Sequence, residues 1–216
     1  MSAQVRFNNS YRAKKRRIQE LPTMMNNIMY GLRKKDAALL ISYFHSGIKN
    51  EKFSLLRLHP FTVERKEGFG YKLPETPLYG KGDDAKLKAY VNMLRMRKIH
   101  NGWKVFGSLG RHHKSNLTLR HLLNIHEAGI TIKVTAKMRK FLHRAGLHLK
   151  ADTTVIRIPP RPAFKMACDK IERTIKNRND AAKIKKEIAT YIKYGRSEWF
   201  ESLMRTYQSE YGDLIE

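Results

Sequence analysis

The stretch TTVIRIPPRPAFKMA, residues 153–167, carries signals for a strand, a break and a helix in immediate succession. The β-branched residues at its start predict a strand. Neither Pro159 nor Pro160 can donate to a sheet ladder, so the strand must end before them. Pro162 has the fixed φ of a first helical turn, and the residues after it are spaced as in a helix. The stretch therefore predicts a strand that stops abruptly and a helix that starts at once, with Arg161 at the joint.

At that joint Arg161 lies near the N-cap of the helix, where its guanidinium can reach a carboxylate or a main-chain carbonyl with two hydrogen bonds. The alternative is a simple connection that leaves Arg161 in solvent, where a surface arginine contributes little. Glu127 is the best candidate carboxylate, because it stands beside a strand predicted at 130–135. Pairing of that strand with 153–158 would bring both motifs to one end of a sheet.

The composition is strongly basic, with 44 Lys and Arg against 19 Asp and Glu and a formal net charge of +25. The positive electrostatic field of such a chain attracts polyanions. Nucleic acid is therefore the first class of partner to consider, and an acidic protein surface is the second. The charges at 86–98 and 176–196 are spread at helical spacing, which is typical of a solvated helix face.

A compact basic block, YRAKKRRIQ at 11–19, stands near the N-terminus. It has few apolar residues and repels itself, so it predicts an arm over residues 1–20 that is disordered in the free chain and orders against an acidic partner on assembly. The basic residues of this arm are Arg12, Lys14, Lys15, Arg16 and Arg17.

Several classes of protein are not expected from the sequence. No segment approaches the roughly 18 apolar residues of a membrane span, and the first residues lack the apolar segment of a secretory signal. The single cysteine, Cys168, cannot form an intramolecular disulfide. No Cys/His cluster has zinc-like spacing, so neither a metal nor a cofactor is expected.

The remaining periodicity predicts alternating helices and strands. The segment 50–83 holds too many prolines and glycines for a regular element, and a loop of that length usually carries function. Helices are predicted at 21–47 with Gly47 as the stop, 83–98, 115–129 with Ser115 as N-cap and Gly129 as the stop, 136–146 and beyond Pro162; strands are predicted at 103–108, 130–135 and 153–158.

These elements define an α+β fold, with a small, mainly antiparallel sheet packed with helices. The predicted organisation is a basic N-terminal arm at 1–20, an α+β domain at 21–178 and a helical C-terminal extension at 179–216.

His126 and Glu127 are neighbours that could be taken as an acid–base couple. Adjacent side chains on a helix do not face each other, so a hydrogen bond at the helix end or a subunit contact explains the pair better. No residue is therefore assigned a catalytic role.

Four segments together carry a family resemblance: HPFTVERKEGFGYKLPETPLYGKG (59–82), KVFGS (104–108), NIHEAGITIKVTAKMRKFLHRAGLHLK (124–150) and TTVIRIPPRPAF (153–164). In this order they resemble the bacteriophage virion-morphogenesis or tail-completion family typified by the Mu-like phages. The resemblance spans about residues 50–175, and its most specific feature is the linked His-Glu-x-Gly and Ile-Pro-x-Arg-Pro pair. The chain departs from the family pattern at Ala128, where an aromatic is usual, and at Ala163-Phe164, where Phe usually follows Pro162 directly.

The resemblance implies a structural virion protein, not an enzyme, at the phage neck or the head-proximal end of the tail. Such a protein forms a ring, a hexamer or a dodecamer, that completes the tail and joins it to the head. The implied partners are further copies of the chain, a tail terminator or tail tube protein, and a head-completion or connector protein. The implied location is the virion, and the host cytoplasm during assembly.

In such a ring the proline-marked joint would be a stiff interface element, because residues pre-fixed by proline cost less ordering entropy on assembly. Because the chain is basic, we also expect the ring to contact DNA that passes through its channel. The interface residues expected on this basis are Thr62, Lys66, Leu78, His126, Glu127, Gly129, Pro160, Arg161, Pro162 and Phe164.

The charge supports an alternative from a different class, a basic nucleic-acid-binding protein that binds DNA or resembles ribosomal proteins. That alternative predicts a monomer whose affinity for nucleic acid depends steeply on salt.

Overall fold

A computed structural model describes residues 9–50, 52–71, 73–78, 93–100, 102–111, 117–199 and 201–202. Within these residues the chain forms six helices and two two-stranded sheets, which confirms the α+β class. The helices are α1 (Asn9–Lys49), α2 (Pro60–Gly68), α3 (Leu119–Ala128), α4 (Ala136–Arg144), α5 (Ala163–Asn177) and α6 (Asp180–Tyr194). The strands are β1 (Leu94–Ile99), β2 (Gly102–Gly107), β3 (Ile130–Lys133) and β4 (Val155–Ile158). Among the described residues, no helix has the length and apolarity needed to cross a membrane.

The residues group into two compact units. The first unit comprises Met1–Leu39, Met96–Lys104 and Glu172–Glu216, and the second comprises Leu40–Arg95 and Val105–Ile171. This grouping cuts across the boundaries at residues 20 and 178 that the sequence suggested, because α1 and α5 each contribute residues to both units.

The first unit is built on the N-terminal part of α1 and on α6. Ile28 and Leu32 of α1 are buried, and Ile184, Tyr191 and Trp199 pack against them. Because these two helices are far apart in the sequence, their packing depends on apolar contacts that no local pattern reveals.

Arg17 ties the start of α1 to the end of α6. Its Nη1 donates to the carbonyls of Ile192 and Lys193, at 3.0 Å each. A Cβ on Gly195, the left-handed C-cap of α6, would lie only 2.7 Å from Nη2 of Arg17, so the glycine leaves room for the guanidinium. The last carbonyls of a helix have no partner within it and favour a cation, so Arg17 satisfies both requirements.

The predicted disorder of the basic arm is wrong for residues 9–20, which form the start of α1. The part of that prediction before Asn9 lies outside the described residues. Glu20 accepts hydrogen bonds from Arg16, at 2.9 Å, and from the hydroxyl of Tyr191, at 3.0 Å. The tyrosine comes from the other end of the sequence, so its contact, like those of Arg17, attaches the start of α1 to α6.

The second unit has its own core. Gly47 does not end α1 as predicted, since the helix continues to Lys49. The ring of Phe53 occupies the space that a Cβ on Gly47 would take, so the glycine serves close packing rather than a helix stop. The buried apolar residues of this unit are Ile41, Phe44, Ile48, Phe53, Met93, Leu94, Leu119, Leu123, Leu142, Ala163, Ala167 and Ile171.

The helix predicted at 83–98 is wrong at its end, because Leu94–Ile99 is strand β1 and pairs with β2. The earlier part of that prediction, up to residue 92, lies outside the described residues. Leu94 and Met96 are fully buried while Arg95 between them is half-buried, which is the two-residue period of a strand. The neighbouring strand prediction at 103–108 is confirmed by β2.

The segment predicted as irregular contains a helix, α2. Pro60 occupies its first turn, where the missing N–H costs nothing, and the Nδ1 of His59 accepts the N–H of Phe61 at 3.3 Å. The proline that was counted as a breaker therefore starts the helix.

β3 and β4 confirm the predicted antiparallel pair. Ile130 lies opposite Ile158 and Ile132 opposite Ile156, so the isoleucines share one face of the ladder. The helices on either side of β3 begin at threonine N-caps: Thr118 for α3, in place of the predicted Ser115, which lies outside the described residues, and Thr135 for α4.

We expect Arg17→Gln to lower the free energy of unfolding by about 1 kcal/mol, because the end of α6 loses a charged donor. Arg16→Gln is the matched control, since it removes the same charge one position away and only an exposed ion pair. It should leave the stability nearly unchanged. Urea denaturation followed by circular dichroism compares the two variants, and equal effects would show that Arg17 acts only through net charge.

Candidate functional site

The end of α3 and the start of α5 meet beside the paired ends of β3 and β4. The main-chain N–H of Arg161 donates to the carbonyl of His126. We call residues 126–129 and 158–165 the α3–α5 joint. The predicted meeting of the two motifs at the end of one sheet is thus confirmed.

Glu127 caps α5 from outside that helix. Its Oε1 accepts the N–H of Phe164 at 2.7 Å, and its Oε2 accepts the N–H of Lys165 at 3.2 Å. The first amides of a helix have no partner within it, and the positive end of the helix dipole favours an anion. Burial raises the pKa of Glu127, while the two amides and the charge of Lys165 oppose that rise. The carboxylate therefore provides acceptors for the first N–H groups of α5, and these N–H groups in turn provide the hydrogen bonds that the half-buried carboxylate needs.

Arg161 is buried, with 5 % of its surface exposed. Its Nε donates to the carbonyl of Leu56 at 2.8 Å, and its Nη2 donates to the carbonyl of Arg57 at 3.2 Å. Leu56 and Arg57 lie in an irregular segment, where no helix or ladder supplies donors to their carbonyls. Arg161 supplies those partners and attaches this segment to the joint.

The predicted ion pair between Arg161 and Glu127 is therefore wrong. Each side chain binds main-chain groups, Arg161 as a donor to carbonyls and Glu127 as an acceptor of amides. The alternative that placed Arg161 in solvent is wrong as well, because the side chain is buried. The carbonyl contact that was considered beside the carboxylate is confirmed.

Gly129 permits the close approach of α3 and β4. It is the C-cap of α3 with φ +71°, a conformation that side chains with a Cβ rarely adopt. An added Cβ would lie 2.7 Å from the carbonyl oxygen of Ile158 and 2.9 Å from the nitrogen of Pro160. The predicted helix stop is thus confirmed, and the same glycine provides the space in which the joint closes.

His126 lies beside the buried cation. Its Nδ1 is buried and has no hydrogen-bond partner within the described part of the chain. Desolvation, and secondarily the charge of Arg161, lower the pKa of His126 to about 4. The imidazole is therefore neutral near pH 7, while the carboxylate of its neighbour Glu127 is engaged by the amides of α5.

The prolines and the phenylalanine of the joint have different surroundings. The carbonyl of Pro162 accepts the N–H of Met166 at 3.0 Å, so the helical hydrogen bonds begin there. Phe164 is half-buried and its ring meets that of the buried Phe44 edge-on, with centroids 6.4 Å apart. Pro160 is exposed. Phe164 thus packs within its own unit, and Pro160 is available at the surface.

The three remaining predicted interface residues lie on α2 and on the segment that follows it. Lys66 donates to the carbonyls of Thr76, at 2.8 Å, and Leu73, at 3.4 Å, and burial lowers its pKa to about 8. Leu78 has φ +67°, which is strained for a side chain of its size. Thr62 is exposed. Lys66 thus fastens residues 73–76 to α2.

Three phenylalanines, two of them exposed, surround Arg65 in an arrangement that was not predicted from the sequence. The guanidinium carbon lies 5.8 Å from the ring centroid of Phe61, 5.4 Å from that of Phe69 and 5.9 Å from that of Phe141. We call these four residues the Arg65 cluster. The signal was the four-residue spacing of Phe61, Arg65 and Phe69, which is one stripe of a helix. It was overlooked because the segment was predicted to be irregular.

Within the described ranges, no group of three or more His, Cys, Asp or Glu side chains is placed to hold a metal ion. Comparison of the chain with protein-family models, with curated proteins and with solved structures gave no match. The relation to the tail-completion family stays a prediction that depends on the motifs of the joint.

Arg161→Ala should lower the free energy of unfolding by about 3 kcal/mol, because it removes a buried side chain and its two charged hydrogen bonds to main-chain carbonyls. Arg157→Ala removes an exposed arginine of β4 and should have little effect. Glu127→Gln should not rescue Arg161→Ala, since the carboxylate keeps its amide donors when the arginine is absent. A double-mutant cycle measured by urea denaturation tests this. A double variant more stable than Arg161→Ala would restore the ion-pair interpretation.

His126 should make stability depend on pH in a defined window. Above pH 6.5 the imidazole is neutral in both states; between pH 6.5 and about 4 the unfolded chain takes up a proton that the folded chain does not. The free energy of unfolding should therefore fall by about 3 kcal/mol across that window. Comparing urea denaturation of the parent protein and His126→Asn at several pH values isolates this contribution, because all other groups titrate in both. Parallel pH profiles would contradict it.

Proposed function

We propose that the chain is a structural virion protein of the phage neck or the head-proximal tail end, where it forms a ring that completes the tail and joins it to the head. The observation that carries the proposal is the contact between the two motifs on which the family resemblance depends. The HEAG motif and the PPRPAF motif meet through the carbonyl of His126, the carboxylate of Glu127 and the first amides of α5. Their linkage in sequence thus corresponds to one structural element.

The construction of this element suits a ring subunit. Such a subunit presents fixed surfaces to its neighbours on both sides, so the angle between its sheet and its helices must not vary. Glu127, Arg161 and Gly129 hold that angle with hydrogen bonds and close packing. A joint that is rigid before assembly loses little entropy when the ring closes.

The Arg65 cluster is the surface that we propose for contact with a neighbouring copy. Phe141 is 59 % exposed and Phe69 is 45 % exposed. Aromatic residues, phenylalanine among them, and arginine are enriched at the cores of interfaces. Arginine is also enriched among the residues whose truncation weakens binding most. A carboxylate or carbonyl of the neighbouring copy can accept hydrogen bonds from Arg65, while apolar side chains of that copy cover the phenyl rings of the cluster.

The other partners that we propose follow from the position in the virion. One face of the ring would meet a tail terminator or tail tube protein, and the other a head-completion or connector protein. Electrostatic complementarity with an acidic face of either partner would fit the strong positive charge of the chain.

The mass of the purified chain, measured by light scattering and native mass spectrometry with and without purified tails, should correspond to a closed ring several times the monomer mass. Phe141→Ser should shift the protein toward monomer. Leu109→Ser is the matched control, because Leu109 is 67 % exposed in the same unit but outside the cluster. It should leave the ring intact.

Electron microscopy of virions that contain a labelled copy provides the independent test of location. We expect the label at the junction of head and tail. A chain that stays monomeric in the presence of tails, together with a label absent from that junction, would contradict the proposal.

A basic nucleic-acid-binding protein remains the alternative function, and the charge of the chain is the observation that favours it. It predicts a monomer both alone and with tails, so the same mass measurement separates the two.

A further inference from the structure

We propose that a cavity between the end of α1 and the segments 54–57 and 75–77 receives the Arg65 cluster of a neighbouring copy of the chain. This inference rests on the ring assembly proposed above, and it names the surface that the cluster meets. A ring with one repeating interface needs two different patches on each subunit, and the two patches must be complementary.

The cavity lies wholly within the second unit and has a volume of about 330 Å³. Its inner wall is apolar, because Gly47, Ile48 and Pro77 are buried and Leu55 is half-buried. The volume is at the lower end of the range of about 300–1,000 Å³ that is usual for ligand pockets. The cavity therefore suits one large apolar side chain, such as a phenyl ring, better than an extended ligand.

Two side chains of opposite charge, Arg57 and Glu75, line the same cavity. Both residues are exposed, and within the described part of the chain neither side chain forms an ion pair. Both charges are therefore available to an occupant. The occupant that fits best presents an apolar group to the inner wall and a cation to Glu75.

The two irregular walls of the cavity are fixed by cations from outside it. Arg161 donates to the carbonyls of Leu56 and Arg57, and Lys66 donates to the carbonyl of Thr76 at 2.8 Å. A cavity whose walls are already fixed loses little conformational entropy when it is filled. Two of the predicted interface residues, Arg161 and Lys66, thus shape the receiving surface without lining it.

Backbone strain is concentrated at this cavity. Among the residues that the structure describes, the two non-glycine residues with positive φ are Ser54, at +45°, and Leu78, at +67°. Ser54 lines the cavity, and Leu78 directly follows Pro77, which also lines it. Strained residues persist where the surrounding structure imposes them, and they are concentrated at binding and active sites.

The Arg65 cluster supplies the groups that the cavity lacks. Phe141 has the most exposed ring of the cluster, and this ring can cover the apolar wall. The guanidinium carbon of Arg65 lies 5.9 Å from the centroid of that ring, so a cation arrives beside the phenyl group and can pair with Glu75. Arg57 of the receiving copy can lie over a face of the inserted ring. Because ring and cation are adjacent in the cluster, as wall and carboxylate are in the cavity, a second copy is the occupant that we infer.

A chain does not fill its own cavity with its own cluster. None of the four residues of the cluster lines the cavity. Arg65 and Lys66 are neighbours on α2, and neighbouring side chains on a helix point about 100° apart. Lys66 reaches the wall of the cavity, so Arg65 and its rings lie on another side of α2. Each copy can therefore offer its cluster to one neighbour and its cavity to another.

The test uses two charge-reversal variants of the full chain, Arg65→Glu and Glu75→Arg, with the mass of the assembly measured by light scattering in the presence of purified tails. Each variant alone places like charges against each other at every interface, so each should need roughly tenfold or more protein to assemble. Asp152→Arg is the matched control for Glu75→Arg, because Asp152 is an exposed carboxylate of the same unit outside the cavity. It should assemble like the parent chain, and circular dichroism shows whether each variant is folded.

An equal mixture of the two variants should recover the mass of the ring. One variant has carboxylates at both positions and the other has guanidinium groups at both, so every contact between unlike variants pairs opposite charges. The restored ring should contain the two variants in equal number and in alternation, which native mass spectrometry measures. A pairing of residues 65 and 75 within one chain would not be restored by mixing.

Different results would separate this inference from the ring proposal. If Glu75→Arg forms the ring as readily as the parent chain, or if the mixture stays disassembled, the cavity does not receive the cluster although the ring stands. If Glu75→Arg keeps the ring but no longer attaches to tails, the cavity binds a tail or head protein instead of a second copy. A parent chain that stays monomeric with tails would contradict the ring, and this inference with it.

Discussion

The amides at the start of α5 need acceptors that α5 cannot provide, and Glu127 supplies them from a position 37 residues earlier in the chain. For Glu127 to reach Phe164, α3 must end at once and the chain must enter the ladder with β4. Gly129 makes that reversal possible at φ +71°, and the pairing of Ile130 with Ile158 fixes its register. The geometry of the second unit around this ladder therefore depends on one carboxylate and two N–H groups.

The buried cation of Arg161 imposes a second constraint. A buried guanidinium is tolerated only where hydrogen bonds replace its hydration, and the irregular backbone at Leu56 and Arg57 provides them. The same charge adds to desolvation in lowering the pKa of His126, so the histidine beside it is held neutral. Burying one arginine thus depends on the free carbonyls of an irregular segment, and its charge reinforces the desolvation that keeps His126 neutral.

Features that depend on residues close together in the sequence were predicted correctly. Features that depend on a contact with a distant residue were not. The helix stop at Gly129, the strand break at Pro159 and the pairing of β3 with β4 carry local signals, and all three are confirmed. Main-chain carbonyls exist at every residue and leave no trace in the sequence, so the true partners of Arg161 were not predictable and a carboxylate was chosen instead. The basic arm failed for the same reason, since the contact of Glu20 with Tyr191 joins opposite ends of the chain.

The formal charge of +25 therefore combines basic residues with different roles. Arg139 donates to the carbonyls of Lys150, at 2.7 Å, and Thr153, at 2.6 Å, while Arg161 and Arg17 also bind main-chain carbonyls. Their charges are committed to holding segments together, and replacing them should reduce stability. Lys14, Lys15, Lys185 and Lys186 are exposed to solvent instead, so their charges contribute to the field around the chain. For this reason the net charge alone does not distinguish the basic residues that hold the fold together from those that face solvent.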